Sequence, residues 1–171
     1  MPAESKYVDS CCVILMIDKD DTHRDDYGCG RKKYEALFPK NTRFSVPEVA
    51  MGETVMKIMD KRPGSFQMAM QEYERLVGLG FLNVSYIRDP SFTFSLSKEI
   101  SKERADSRDR ISAADALILA CAAADKDCSV FYTSDSKLLT DSFVSKAVDE
   151  WRSSSDYDEM RIMDIADALK L

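Results

Sequence analysis

The chain predicts an α/β domain of three layers, α/β/α, with helices on both faces of a central, mainly parallel sheet of four or five strands. Two observations carry that prediction. Short apolar stretches of strand character alternate along the chain with helical segments, the pattern of parallel strands joined by helical crossovers. The strongest helix signal, Ser112 to Lys126, lies between two such stretches, Phe81 to Ile87 and Val130 to Thr133. The length of 171 residues suits a single domain spanning 1–171. A chain of that size hides about 70% of its unfolded surface and needs no disulfide or structural metal to form a core.

The elements follow in order. Lys6-Tyr-Val is a short strand leading into Asp9, and Ser10 to Ile17 is almost wholly apolar. The polar run Asp18 to Asp26, extended by Gly28 and Gly30, marks a long loop. A short helix over Lys32 to Phe38 ends at Pro39. Phe44-Ser-Val is a brief strand, and Pro47 suits the first turn of a helix reaching about Lys61. Pro63-Gly64 breaks that helix, Ser65 caps another through Leu79, and Gly80 closes it. Asp89-Pro90 reads as a turn and Ser95 to Ser107 as a charged helix. After Val130 to Thr133 come a short helix from Ser136, a helix from about Asp141 to Trp151, and the strand Arg161-Ile-Met. That strand and a terminal helix within 158–171 complete the sheet.

Composition excludes several function classes. There are 24 Lys and Arg against 30 Asp and Glu, a net charge of −6, and the isoelectric point is near 4.9. That balance argues against holding duplex DNA through a broad basic face. The single histidine, His23, excludes poly-histidine metal sites. No apolar run is long enough to span a bilayer and the N-terminus lacks a signal-like pattern, so a cytoplasmic chain with no membrane partner is expected. Five cysteines without a CxxC or CxxH pair make a poor zinc or disulfide framework. Cys11, Cys12 and Cys121 fall in apolar runs and are expected to pack as small hydrophobes.

Four acids stand out. In open parallel sheets, ligand sites form beyond the carboxyl ends of the strands, where Asp9 and Asp135 are expected. At 100° per residue, Val46, Val49, Ala50 and Met56 share a helix face with Glu53. A carboxylate on an apolar stripe is costly unless paired or bound to a cation. Met51, Val55 and Ile58 mark a second apolar stripe on the same helix. Asp115 is the only polar residue from Ala113 to Ala124, and Ser112-Ala-Ala-Asp115 has capping-box spacing. Capping and metal binding can coexist, because a carboxylate has several lone pairs. Asp135 and Asp9 could likewise start the helices that follow them. Clustered carboxylates repel unless balanced by cations, and all-oxygen ligands favour Mg²⁺ or Mn²⁺.

These residues carry a resemblance. Tyr7-Val8-Asp9-Ser10 resembles the opening strand and acid of PIN-domain nucleases. Val46-Pro47-Glu48-Val49-Ala50-Met51-Gly52-Glu53 is similar to their second motif, a strand, a proline-led helix and an acid. Asp115 to Ala122 resembles the third, an Asp opening an Ala-rich helix, and Val130 to Asp135 the last, a strand ending in Thr-x-Asp. The likeness covers about residues 6–140. It implies a PIN-like fold and a Mg²⁺- or Mn²⁺-dependent ribonuclease acting on single-stranded or structured RNA. It further implies that Asp9, Glu53, Asp115 and Asp135 are the catalytic, metal-binding acids, with Ser10 and Thr133 as supporting hydroxyls. Members of this family include toxins paired with an antitoxin protein and RNA-processing enzymes, so an antitoxin and a homodimer are partners to consider.

The chemistry implied is hydrolysis by a metal-activated water, leaving a 5′-phosphate and a 3′-hydroxyl without a side-chain base. The alternative is a catalytically inactive PIN-like scaffold that binds RNA or a protein. Lys98, Lys102, Arg104, Arg108 and Arg110 alternate with Glu99, Glu103, Asp106 and Asp109, which reads as a solvated helix face rather than an RNA track. A phospho-acceptor reading of Asp60 fails on spacing, since Thr133 lies 73 residues further on.

Overall fold

Five short strands, β1 (Ser5–Val8), β2 (Phe44–Pro47), β3 (Leu82–Ser85), β4 (Cys128–Thr133) and β5 (Arg161–Asp164), lie in the order β3-β2-β1-β4-β5. Every neighbouring pair is parallel. The computed structural model describes residues 5–17, 43–61, 64, 66–102 and 111–166. Among them are seven helices: α1 (Ser10–Ile17), α2 (Glu48–Lys61), α3 (Phe66–Gly78), α4 (Pro90–Ile100), α5 (Ala113–Ala123), α6 (Ser136–Thr140) and α7 (Ser142–Ser154). The fold is α/β, compatible with a three-layer α/β/α domain, and its sheet is wholly parallel.

Parallel strands are covered on both faces, and their sequences show it. Tyr7, Val8, Val46, Val130 and Phe131 are buried in one continuous core. All eight residues of α1 are buried, which explains why Ser10 to Ile17 has no polar face. α1 and α3 pack against α2, while α4 packs against α5 and α7. The two groups meet where α2 touches α5. None of the described helices is long and apolar enough to cross a membrane.

The strand order locates the reversal point of the sheet. From β1 the chain winds outward to β2 and β3, then returns to place β4 on the other flank of β1. The crevice beyond the carboxyl ends of β1 and β4 is therefore the topological switch point, where ligands of such sheets bind. The β1–β4 ladder runs to its very end, with the Asp9 amide donating to the Tyr132 carbonyl at 2.9 Å.

Most sequence boundaries hold within a few residues, and three expectations need correction. Asp89-Pro90 is a helix start: Asp89 caps α4 by accepting from the Phe92 amide at 2.9 Å, with Pro90 in the first turn. The helix accordingly begins before Ser95 and ends at Ile100. Val46 and Pro47 are the last two residues of β2, so neither is part of α2 and Val46 does not share a helix face with Glu53. Met56 is 66% exposed and does not join the buried face of α2. Asp60 is an exposed residue near the end of α2 and follows no strand, so the phospho-acceptor geometry is absent there. The proposed loop from Asp18, the helix at Lys32 to Phe38 and the charges of 103–110 lie outside the described residues, as do His23, Cys29 and 167–171 of the terminal segment.

Gly80 does what the sequence suggests. With φ of 73° it ends α3 in a left-handed conformation. Its amide donates to the Val77 carbonyl and the Phe81 amide to that of Leu76, the paired bonds of a Schellman stop.

Candidate metal centre

Three elements deliver three carboxylates to the switch-point crevice. Asp9 follows β1 at the head of α1, Glu53 lies in the second turn of α2, and Asp115 is the third residue of α5. Each offers an oxygen, and these oxygens all lie within 4.8 Å of one another. Hard cations hold oxygen at roughly 2.0 to 2.6 Å, so oxygens that share one ion lie no more than about 5 Å apart, a limit that each pair here meets.

Asp9 is rigidly held. Its Oδ2 accepts from the Thr133 hydroxyl at 2.7 Å and its Oδ1 from the Ser10 amide at 2.6 Å. The Cys11 thiol donates to Oδ2 at 3.4 Å. Burial raises the Asp9 carboxyl well above the usual carboxylate range, and the adjacent Cys11 sulfur and Asp115 add to the rise. Thr133 and the Ser10 amide oppose it, since their bonds favour the charged form. Among the described residues no Lys or Arg pairs with Asp9.

Asp115 combines two roles. The Ser112 hydroxyl accepts from the Asp115 amide at 3.0 Å and donates to Asp115 Oδ2 at 2.5 Å. In a standard capping box the acid reaches back to the cap's amide; here it takes the cap's hydroxyl proton. Burial raises the Asp115 carboxyl, Glu53 and Asp135 push it further, and Ser112 and Lys57 pull it down.

Glu53 is the acid with a cation. Lys57, one turn later on α2, pairs with Oε1 at 2.9 Å. Glu53 Oε2 is buried without a hydrogen-bond partner. A carboxylate gathered with two others and holding one buried, unpartnered oxygen is what a bound divalent ion would satisfy, so this donor set fits Mg²⁺ or Mn²⁺.

Asp135 stands apart from the three. It lines the same cavity of about 250 Å³, with Asp9, Cys11, Lys57, Asp115, Ser134 and Ser136. Its carboxylate accepts from the Lys137 amide at 2.8 Å and caps α6. Thr133 links it to the cluster, because the same hydroxyl that bonds Asp9 accepts from the Asp135 amide at 3.0 Å. Ser10 enters through its backbone amide, with its hydroxyl 3.5 Å from Lys57 Nζ.

Four cavity residues escaped the sequence reading: Lys57, Cys11, Ser134 and Ser136. The Glu53-x-x-x-Lys57 spacing was a readable signal for an ion pair on one helix face. Cys11 is buried, as a small hydrophobe would be, yet its sulfur also accepts from the Ser134 amide at 3.3 Å and lines the cavity. Nothing in an apolar run marks that contact. Comparison with protein-family models and with curated proteins finds no match for this chain.

Proposed function

We propose that this chain is a divalent-metal-dependent endoribonuclease of PIN-like type, acting in the cytoplasm on the phosphodiester bonds of RNA. The observation that carries the reading is the convergence of Asp9, Glu53 and Asp115 at the switch point, on a Glu53 whose Oε2 is buried and unpartnered. Mg²⁺ or Mn²⁺ held by these acids would supply an activated water and charge neutralisation at the scissile phosphate.

The chain's own residues set the stage for that chemistry. Thr133 and the Ser10 amide fix Asp9, and Ser112 fixes Asp115, so the acids are oriented before any ligand arrives. Asp135 adds a fourth negative charge at the cavity wall, and Lys57 the one cation among its described lining residues. Among the described residues, solvent and the carboxylates are the groups placed to take up a proton.

Cleavage of a labelled single-stranded RNA in Mg²⁺, compared between the parent, Asp9→Asn and Asp115→Asn, tests the proposal. Both variants are expected to lose more than about 100-fold in rate, while keeping the parent's circular-dichroism spectrum and cooperative unfolding. A variant cutting at the parent rate rejects the assignment. A parent that binds RNA without cutting it in either metal leaves the inactive scaffold as the reading.

A further inference from the structure

Lys57 is the only cation among the described residues that line the acidic cavity. It sits one helical turn beyond Glu53, so α2 itself delivers the ammonium to the carboxylate. Its Nζ donates to Glu53 Oε1 at 2.9 Å and reaches Ser10 Oγ at 3.5 Å. The pair divides Glu53 in two. Oε1 is occupied by the lysine, while Oε2 is buried and unpartnered.

Two-metal phosphodiesterases hold ions about 3.5 to 4 Å apart, each needing its own share of carboxylate oxygen. An ammonium and a divalent ion compete for the same lone pairs. Resting on the metal-dependent reading above, we propose that the Lys57 ammonium fills the position beside Glu53 that a second ion would need, so that the site takes one divalent ion. The lysine would act as a positioning residue: it supplies a fixed positive charge at the cavity wall whatever the metal concentration. Four acids facing one lysine and one divalent ion leave a net charge of about −1 by formal count, low enough to admit a phosphodiester beside the ion.

Mn²⁺ alone is the probe, titrated by calorimetry and followed by electron paramagnetic resonance on the parent, Lys57→Arg, Lys57→Met and Lys57→Gln chains. The parent and Lys57→Arg are expected to bind one ion with an uncoupled spectrum. Lys57→Met and Lys57→Gln are expected to bind two, with the signal of a spin-coupled pair. The lysine side chain is 38% exposed, and having two neutral variants keeps the test decisive if one of them misfolds. A coupled pair in the parent, or a single ion in both neutral variants, overturns the inference and leaves the metal-dependent reading standing. A parent that binds no Mn²⁺ overturns both.

Discussion

Asp9 and Asp125 are both buried carboxylates, and the chain treats them in opposite ways. Asp125 lies between α5 and β4, near the amino end of the strand whose carboxyl end borders Asp9. It accepts from the Tyr7 hydroxyl at 2.8 Å, from Arg88 at 3.2 Å and from the Asp127 amide at 3.1 Å. Beside it the buried Arg152 donates to the carbonyls of Ala123, Asp125, Lys126, Cys128 and Asp158. Charge and hydrogen-bonding capacity are matched there from within the protein. At Asp9 they are not: its donors are a hydroxyl, an amide and a thiol, and two further acids crowd its open side. A buried carboxylate supplied with a cation keeps its charge at little cost, whereas one left without a cation stores an electrostatic cost that a bound cation or a proton relieves.

The sharpest way to break this contrast is at Arg152. Arg152→Ala strands several buried carbonyls, each worth about 1 to 3 kcal/mol, so urea denaturation is expected to show a loss of about 3 to 5 kcal/mol. Little change would mean the Asp125 region is not the stabilising one. At the other site the effect runs the opposite way. Mg²⁺ or Mn²⁺ at about 100 times its dissociation constant should raise stability by about 2.7 kcal/mol. Asp115→Asn should abolish that gain in a thermal melt, and Asp125→Asn should retain it.

Acid titration of the metal-free chain gives a smaller effect. The Asp9 and Asp115 carboxyls are raised in the folded state, so the native chain holds these protons more tightly than the unfolded one. Their contribution to stability is fully present below the unfolded value of about 3.9 and is lost as pH rises through the raised native values. Asp9→Asn should flatten that decline, and saturating Mg²⁺ should abolish it. An identical pH profile in parent and variant would show that Asp9 carries no such strain. The smallest effect belongs to Ser112→Ala, which removes the cap of α5 and costs about 1 kcal/mol in a thermal melt.

Legibility in the sequence followed the range of the interactions involved. The parallel sheet, the stop at Gly80 and the Ser112 cap are written in local pattern, and each was readable. So was the misplaced character of Glu53 and Asp115, because an acid on an apolar stripe, or alone in an apolar helix, stands out without any knowledge of its neighbours. Asp89-Pro90 misled because the dipeptide suits a turn and a helix start equally, and only the packing of Phe92 and Leu96 into the core decides between them. Met56 misled because helical phase identifies a face but not how far the neighbouring element extends over it. Arg152 gave no signal at all: its acceptors lie on backbone 24 to 29 residues earlier, apart from Asp158. Asp135 shows the intermediate case, correctly expected at the strand edge and equally readable as a cap, a role it does fill.

Three of the four acids around the crevice also stand at the start of a helix. Asp9 precedes α1, Asp115 sits in the first turn of α5, and Asp135 caps α6. Asparagine starts helices as well as aspartate does, and a single base change converts one codon into the other. At Asp9 and Asp135, which stand immediately before their helices, the chain can therefore shed negative charge with little cost to folding. Lineages of this fold should drift between charged and uncharged versions of the same crevice far more readily than they lose the sheet beneath it.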